Sequence, residues 1–391
     1  MKQIESIELF SGAGGLALGL HSAGFRHRAL YEWNASAVET LRYNQKMGYQ
    51  ALTGCEIYRA DVRNVDFTKY RGVDLVAGGP PCQPFSMGGK AAGMNDTRDM
   101  FPQAIRAVAE VQPRAFIFEN VRGLLRPAFS NYVEYIRLQM EFPEFSVTEN
   151  VSWDQNLARL QRHKERVGKT GGGLRYRVHI HQANAADYGV PQHRHRVFFI
   201  GFRSDFKTDW SFPKPTHMDG AQLAKRLPTA KGSESDYLHQ LSPWVPLIDA
   251  IRDLPVPTDR ASKKWANHLL QNGAKSYPGH TGSPLDRPAK ALKAGAHGVP
   301  GGENMILYPD GNVRYLSVRE SARVQTFPDD YIFLGSWTES MRQLGNAVPV
   351  KLAEIVGKSV SKALSGRTSQ VHRTVGEFED RGFLVSLSCC R

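Results

Sequence analysis

A cysteine stands between stiffened neighbours in Gly78-Gly79-Pro80-Pro81-Cys82-Gln83-Pro84-Phe85-Ser86. The prolines remove backbone freedom that a structural thiol does not need lost. A nucleophile uses that loss, because a fixed sulfur direction lowers the entropic cost of attack. A free thiol has a pKa of about 8.5, so the role also calls for a cation that raises the thiolate fraction. Glu119-Asn120-Val121 closes an apolar run, where partial burial keeps a carboxyl protonated and able to act as an acid. In Gln192-His193-Arg194-His195-Arg196, alternation sends Arg194 and Arg196 to the same side, able to stabilise both a thiolate and an anionic substrate. Alone, Glu-Asn-Val reads as a strand-end turn and Arg-x-Arg as a surface strand; both gain weight beside Pro-Pro-Cys. Met87-Gly88-Gly89-Lys90-Ala91-Ala92-Gly93 reads as a hinged lid.

A second constellation points to a nucleotide. Phe10-Ser11-Gly12-Ala13-Gly14-Gly15 follows the first apolar run and opens a helical stretch, so the backbone turns sharply and presents free N–H groups to a ligand. Glu32 stands 20 residues after Gly12, where a carboxylate reaches ribose hydroxyls, and Trp33 beside it can stack on adenine. Gly12-x-Gly14-x-x-Ala17 also fits a dinucleotide fingerprint. The loop therefore reads as an adenosine site, nicotinamide-linked or not, with a plain tight strand-to-helix turn as the alternative.

These residues need a scaffold. Extended runs at 4–10, 27–31, 56–60, 73–77, 114–118, 177–182 and 196–202 alternate with helical stretches such as 35–43 and 101–111. Several runs are apolar at successive positions, as when helices cover both faces of a parallel sheet. The rhythm predicts an α/β fold with a doubly wound, mostly parallel sheet and ligands beyond the C-terminal strand ends. The expected organisation is a catalytic and cofactor domain at 1–203, a smaller loop-rich domain at 204–316, a returning segment at 317–365 and a frayed tail at 366–391. Between Ala158 and Arg177, seven basic residues face Glu165 alone, with Gly171-Gly172-Gly173 among them. This stretch is either a solvated helix ending in a loop or a phosphate contact.

Composition sets the outer limits. The 391 residues carry 50 Lys+Arg against 38 Asp+Glu, a net charge of +12 that makes a polyanionic partner plausible. With 41% hydrophobic and 23% charged residues the chain is globular. Four cysteines without a CxxC pair indicate neither a disulfide framework nor zinc, so no metal is expected. No apolar run reaches a membrane-spanning length and the N-terminal run is too short for a signal peptide, which implies a cytoplasmic protein with no membrane contact.

In order and content these motifs resemble the cytosine-C5 DNA methyltransferase family of bacterial restriction-modification systems. The family's cofactor loop matches 10–15, its Glu/Trp pair Glu32-Trp33, and its next cofactor position Asp61-Val62. Its Pro-Cys segment matches 80–86, its Glu-Asn-Val segment 119–121, and its Gln-x-Arg-x-Arg segment 192–196. Downstream, 319–328 resembles the helix before the family's closing motif, and Gln343-Leu344-Gly345-Asn346-Ala347-Val348-Pro349-Val350 that motif itself. The resemblance covers roughly 4–365, except the basic insertion and much of 205–315.

The resemblance implies an S-adenosylmethionine-dependent methyltransferase fold whose loop-rich domain recognises the DNA target. It places Phe10, Gly12, Gly14, Gly15, Leu16, Glu32, Trp33, Asp61, Val62, Pro80, Asn346 and Val348 at S-adenosyl-L-methionine. Cys82 would attack carbon 6 of cytosine, Glu119 would act at N3 and the exocyclic amine, Arg194 would hold the base oxygen, and Arg196 would support the pocket or a phosphate. The base must leave the duplex to be reached. Ser86, Lys90 and Arg287 are the expected DNA contacts, while Arg252, Arg260, Arg287 and Arg314 are not distinguished as base readers. The implied partner is double-stranded DNA, met by a monomer in the bacterial cytoplasm at the nucleoid. It is paired functionally with a restriction endonuclease or acts as a solitary methylase. A transfer-RNA substrate and a nicotinamide-dependent oxidoreductase are the alternatives.

Overall fold

The computed structural model describes residues 3–81, 99–148, 151–170, 172–294 and 304–366. The chain runs β1 (Ile4–Leu9), α1 (Gly15–Ser22), β2 (Phe25–Glu32), α2 (Ala35–Lys46), β3 (Glu56–Arg59) and β4 (Leu75–Gly78). It continues through α3 (Phe101–Val111), β5 (Ala115–Val121), α4 (Ser130–Glu141), α5 (Trp153–Thr170), β6 (Tyr176–Asn184) and β7 (His195–Arg203). These strands, which match the seven extended runs read from sequence, form one sheet in the order β3-β2-β1-β4-β5-β7-β6. β1 to β5 pair in parallel, whereas β7 is antiparallel to both β5 and β6.

The uninterrupted apolar run of β5 is explained by its two faces. Phe116 and Phe118 pack into one core with α3 and α4, while Ala115 and Ile117 enter another with α1. All four are fully buried, so no polar alternation is possible. The strand order reverses between β1 and β4, making the gap beyond their C-terminal ends the topological switch point where such sheets bind ligands. Phe10 to Gly15 leave from one of these strands and Gly79 to Pro81 from the other.

The rest of the chain contains β8 (His217–Met218), α6 (Gly220–Arg226), α7 (Gly232–His239), β9 (Ser242–Pro243), α8 (Leu247–Ile251), β10 (Ser283–Pro284), β11 (Met305–Leu307) and β12 (Val313–Tyr315). α9 (Val318–Val324), α10 (Trp337–Asn346) and α11 (Val350–Leu364) follow. Of the segment assigned from sequence to a second domain, Leu223, Leu238 and Leu241 form a small separate core. Leu247, Leu254, Leu292 and Ile306 instead share a core with Ala13, Leu41, Leu344 and Val350. The second half of 204–316 is therefore packed onto the first domain rather than standing apart.

α11 lies against α1, and glycine makes that possible. A methyl group on Gly15 would fall on the Val348 carbonyl, and one on Gly19 on Ala353 and the Val350 carbonyl. The closing segment thus returns to the glycine loop through contacts too close for any side chain.

The basic stretch forms the end of α5, and its exposed charges are partly committed. Lys164 and Arg175 meet Glu141 at 3.2 and 3.0 Å, together with Arg137 at 2.9 Å. β6 starts at Tyr176 opposite Arg203, the end of β7, so this cluster lies at the sheet edge opposite the switch point. That placement, away from the switch point, favours the solvated-helix reading of the stretch. The tail beyond Gly366 lies outside the described residues.

Candidate active site

One cavity of about 770 Å³ spans the switch point. Phe10, Gly12, Gly15 and Leu16 line it from the glycine loop, Glu32 and Trp33 from the end of β2, and Asp61 and Val62 from the turn after β3. Pro80 and Pro81, Glu119 with Asn120, Arg196, and Asn346 with Val348 complete it. Motifs spread over more than three hundred positions therefore share one space.

At the nucleotide end, Glu32 organises the backbone. Its two carboxylate oxygens accept the N–H groups of Gly12 and Asn34, each at 2.7 Å. Gly14 does not line the cavity among the described residues. It adopts φ +87° as the residue that turns the chain into α1, with Leu41, Leu18 and the Tyr331 hydroxyl close around it. Phe10 holds φ +57°, a strained conformation for a side-chain-bearing residue and one that clusters at ligand-binding loops. Trp33 is 64% exposed, and Arg63 lies 6.0 Å above its ring while gripping Asp61 at 2.6 Å.

Glu8 is the residue sequence reading missed. It is 1% exposed, lines the cavity, and its Oε2 has no hydrogen-bond partner among the described residues. Burial, followed by the nearby Glu32 charge, pushes its carboxyl well above the usual range. The available signal was an acidic residue set between apolar Ile7 and Leu9 at the end of β1.

At the other end, β4 and β5 run in parallel with Gly78 opposite Phe118, which sets Gly79 and Pro80 beside Glu119 and Asn120. The Asn120 side chain donates to the Pro80 carbonyl at 3.0 Å, and Met100 N–H donates to the Pro81 carbonyl at 3.1 Å. The chain is thus anchored immediately before Cys82. Cys82 itself, Ser86, Lys90 and the glycine-rich stretch 87–93 lie outside the described residues.

Glu119 is 7% exposed, and burial raises its pKa against the opposing pull of Arg196 and Arg194. Arg196 Nε stands 2.5 Å from Glu119 Oε1, yet that oxygen receives no well-aligned hydrogen bond. The pair is close in charge while the carboxyl keeps acceptor capacity for a ligand.

The two arginines separate in role. The Arg194 side chain is fully enclosed and donates to the carbonyls of Leu292 at 2.9 Å, Gly345 at 2.6 Å and Ala347 at 2.9 Å. It is not among the described lining residues, so the expectation that it holds the base oxygen is corrected. Its guanidinium is committed to joining the 192–194 segment to the closing motif, and Arg196 is the cation that faces the cavity. Arg314 is likewise withdrawn from base reading: it is bound bidentately to Glu320 at 2.7 Å and to the Tyr308 hydroxyl at 3.0 Å. Arg252 and Arg287 remain exposed.

A doubly wound sheet with a glycine loop and a proline-anchored edge at its switch point, beside a buried carboxyl–guanidinium pair, defines a methyltransferase-type catalytic fold. The chain belongs to the C-5 cytosine-specific DNA methylase family, whose model matches residues 4–152 and 132–362. It is 33% identical over 367 residues to the type II methyltransferase M.NgoMIV of Neisseria gonorrhoeae, covering 93% of this chain and 98% of that protein. To the type II methyltransferase M.Eco47II of Escherichia coli it is 32% identical over 368 residues, covering 90% and 78%. Among solved structures, the S. pombe Dnmt2 methyltransferase superposes with a TM-score of 0.55 at 18% identity, covering 93% of this chain and 99% of that one, a likeness of fold. The protein is therefore a DNA cytosine methyltransferase. The nicotinamide reading of the glycine loop is set aside and a transfer-RNA substrate is not favoured. Among the described residues no group of side chains is arranged to hold a metal, and no helix is long and apolar enough to cross a membrane.

Proposed function

We propose that this enzyme methylates carbon 5 of a cytosine turned out of duplex DNA, using S-adenosylmethionine and a transient bond from Cys82. The observation that carries this reading is the buried Glu119–Arg196 pair beside the anchored Pro80–Pro81 segment. S-adenosylmethionine, when bound, supplies an electrophilic methyl group on a sulfonium centre. The cavity suits that molecule: Glu8 offers a buried carboxyl without a partner to its amino-acid cation, Glu32 a carboxylate to ribose hydroxyls, and Trp33 a ring face to adenine.

Carbon 5 of cytosine is a poor nucleophile. Attack of the Cys82 thiolate on carbon 6 pushes an electron pair to carbon 5 while Glu119, its pKa raised by burial, hydrogen-bonds or protonates N3. Carbon 5 then takes the methyl group. Loss of its proton and expulsion of the Cys82 sulfur restore the ring. Arg196 stands where it can meet the base oxygen and hold Glu119 in place.

Residues 204–316 would read the duplex, with Arg287 and other exposed cations on phosphates or bases. The type II relatives are the ground for proposing a partner endonuclease of the same specificity; the enzyme is proposed to act as a monomer in the bacterial cytoplasm. Labelled S-adenosylmethionine offered with duplex DNA and with RNA, followed by bisulfite sequencing, tests the reaction. Transfer to carbon 5 of DNA is expected. Transfer to RNA alone overturns the substrate.

A further inference from the structure

Residues 269–282 form a long exposed loop between two buried ends. At its start, His268 is fully buried, with Nδ1 2.8 Å from the Ser317 hydroxyl and Nε2 2.7 Å from the Pro255 carbonyl. The preceding Asn267 exchanges two side-chain hydrogen bonds with the Phe333 backbone. At the far end Ser283 is fully buried, and its hydroxyl accepts from Lys290 N–H at 3.0 Å. A loop so firmly rooted presents its middle without loosening its base.

That middle ends in a tight reversal. Tyr277 and His280 exchange both backbone hydrogen bonds across Pro278-Gly279. Gly279 takes φ +81°, as the third residue of a type II turn requires. The Tyr277 and His280 rings lie 4.4 Å apart at this tip. Tyr277 is 50% exposed and Leu269 66%. Tyr277 is left half in water at the turn itself and Leu269 at the root of the loop, so both ends of the exposed segment offer apolar surface to a partner.

Charge and position identify that partner. From Arg260 to Leu285 the sequence holds Arg260, Lys263, Lys264 and Lys275 and no acidic residue. The root of the loop also lies at the catalytic edge of the sheet. Lys290, which holds Thr281 and Ser283, adjoins Ala289, and Ala289 exchanges backbone hydrogen bonds with Pro191 and His193. His193 is three residues from the cavity-lining Arg196. An acid-free loop carrying Lys275, with Arg260, Lys263 and Lys264 just before it and an aromatic tip, beside the site that takes one base, suits a groove of the same DNA.

We infer that loop 269–282 enters the major groove next to the target cytosine and sets the sequence methylated, with Tyr277 and Leu269 contacting base edges. This rests on the DNA-reading role given above to 204–316 and names where in it the reading is done. The Tyr277 hydroxyl can hydrogen-bond a base edge, and Leu269 supplies an apolar contact of the kind a thymine methyl takes.

The test uses the full-length enzyme, S-adenosylmethionine and a duplex library with randomised positions around cytosine, read by bisulfite sequencing. Wild-type enzyme should yield one consensus. Tyr277→Ala and Leu269→Ala should each lose discrimination at one or two positions by about 10-fold, the usual size of a base contact. Their S-adenosylmethionine binding, melting temperature and the salt slope of DNA binding should stay unchanged. An unchanged consensus in both variants overturns the inference, whatever the rate. So does a rate loss equal at all sequences with a shallower salt slope, which would mean phosphate contact only. Loss of a concentration-dependent dimer in Tyr277→Ala would make the tip a contact between copies and also overturns it. If the wild-type enzyme methylates no DNA cytosine, the functional reading has failed and this inference falls with it.

Discussion

Arg196 and Glu119 meet at 2.5 Å because β7 runs back along β5, setting Val121 opposite Arg196 at the catalytic edge. In a parallel strand the same arginine, at the strand's start, would stand at the opposite edge. The reversal brings a cation to a carboxyl whose pKa burial raises. The two influences oppose each other, and burial prevails, since the Glu119 pKa remains raised.

That balance predicts the pH profile. A raised pKa keeps Glu119 protonated to higher pH than an ordinary carboxyl, and its acid form is lost as pH rises through that value. Methylation should therefore decline on the alkaline side through this group. Glu119→Gln should be slower by about 10²–10⁴-fold, the usual range for a lost general acid, and should lack that decline. A single-turnover pH series decides it, and an identical profile in the variant removes Glu119 from proton transfer.

Arg194 should behave as a structural residue. Arg194→Met takes the side-chain donor from the buried carbonyls of Leu292 and Gly345 and leaves that of Ala347 only a 3.4 Å bond from Gln325. Each costs about 1–3 kcal/mol, so a loss of roughly 3 kcal/mol or more is expected in denaturant unfolding. Arg196→Met should cost less stability and far more rate. Equal stability losses in the two variants would contradict the division of roles.

Asn120 positions the cysteine segment through the Pro80 carbonyl. Removing one such hydrogen bond in Asn120→Ala costs about 1 kcal/mol of stability, but a displacement of about 1 Å at a nucleophile can cost 10²-fold in rate. The expected pattern is a lowered kcat with KM for S-adenosylmethionine nearly unchanged, and slower trapping of a fluorocytosine duplex. A raised KM with normal trapping would place Asn120 in cofactor binding instead.

Glu8 should link cofactor binding to protons. Its carboxyl is raised well above the usual range by burial and becomes the better partner of a cation once ionised. Binding of S-adenosylmethionine should release a proton at pH values below that raised pKa and tighten as pH rises toward it. Calorimetry in two buffers of different ionisation heat measures the release. A release of the same size in Glu8→Gln would assign it to another group.

Cys82→Ser should abolish turnover and adduct formation while S-adenosylmethionine binding persists, since all the cofactor residues but Pro80 come from other loops. Full residual activity would remove Cys82 as the nucleophile.

Much of this protein was written locally. Glycines after β1, prolines before Cys82 and the doubly apolar run of β5 restrict the backbone over a few residues, so strands, turns and their order could be read from short stretches. Long-range choices were not available there. The direction of β7, the division of labour between Arg194 and Arg196, the orphaned carboxyl of Glu8 and the remote edge taken by the basic stretch depend on pairings between segments tens to hundreds of residues apart. Burial decides each of them. Whether an arginine ends on a carboxyl or on backbone carbonyls, and whether a glutamate keeps its proton, is set by what the closed fold excludes from water, and no short stretch of chain carries that information.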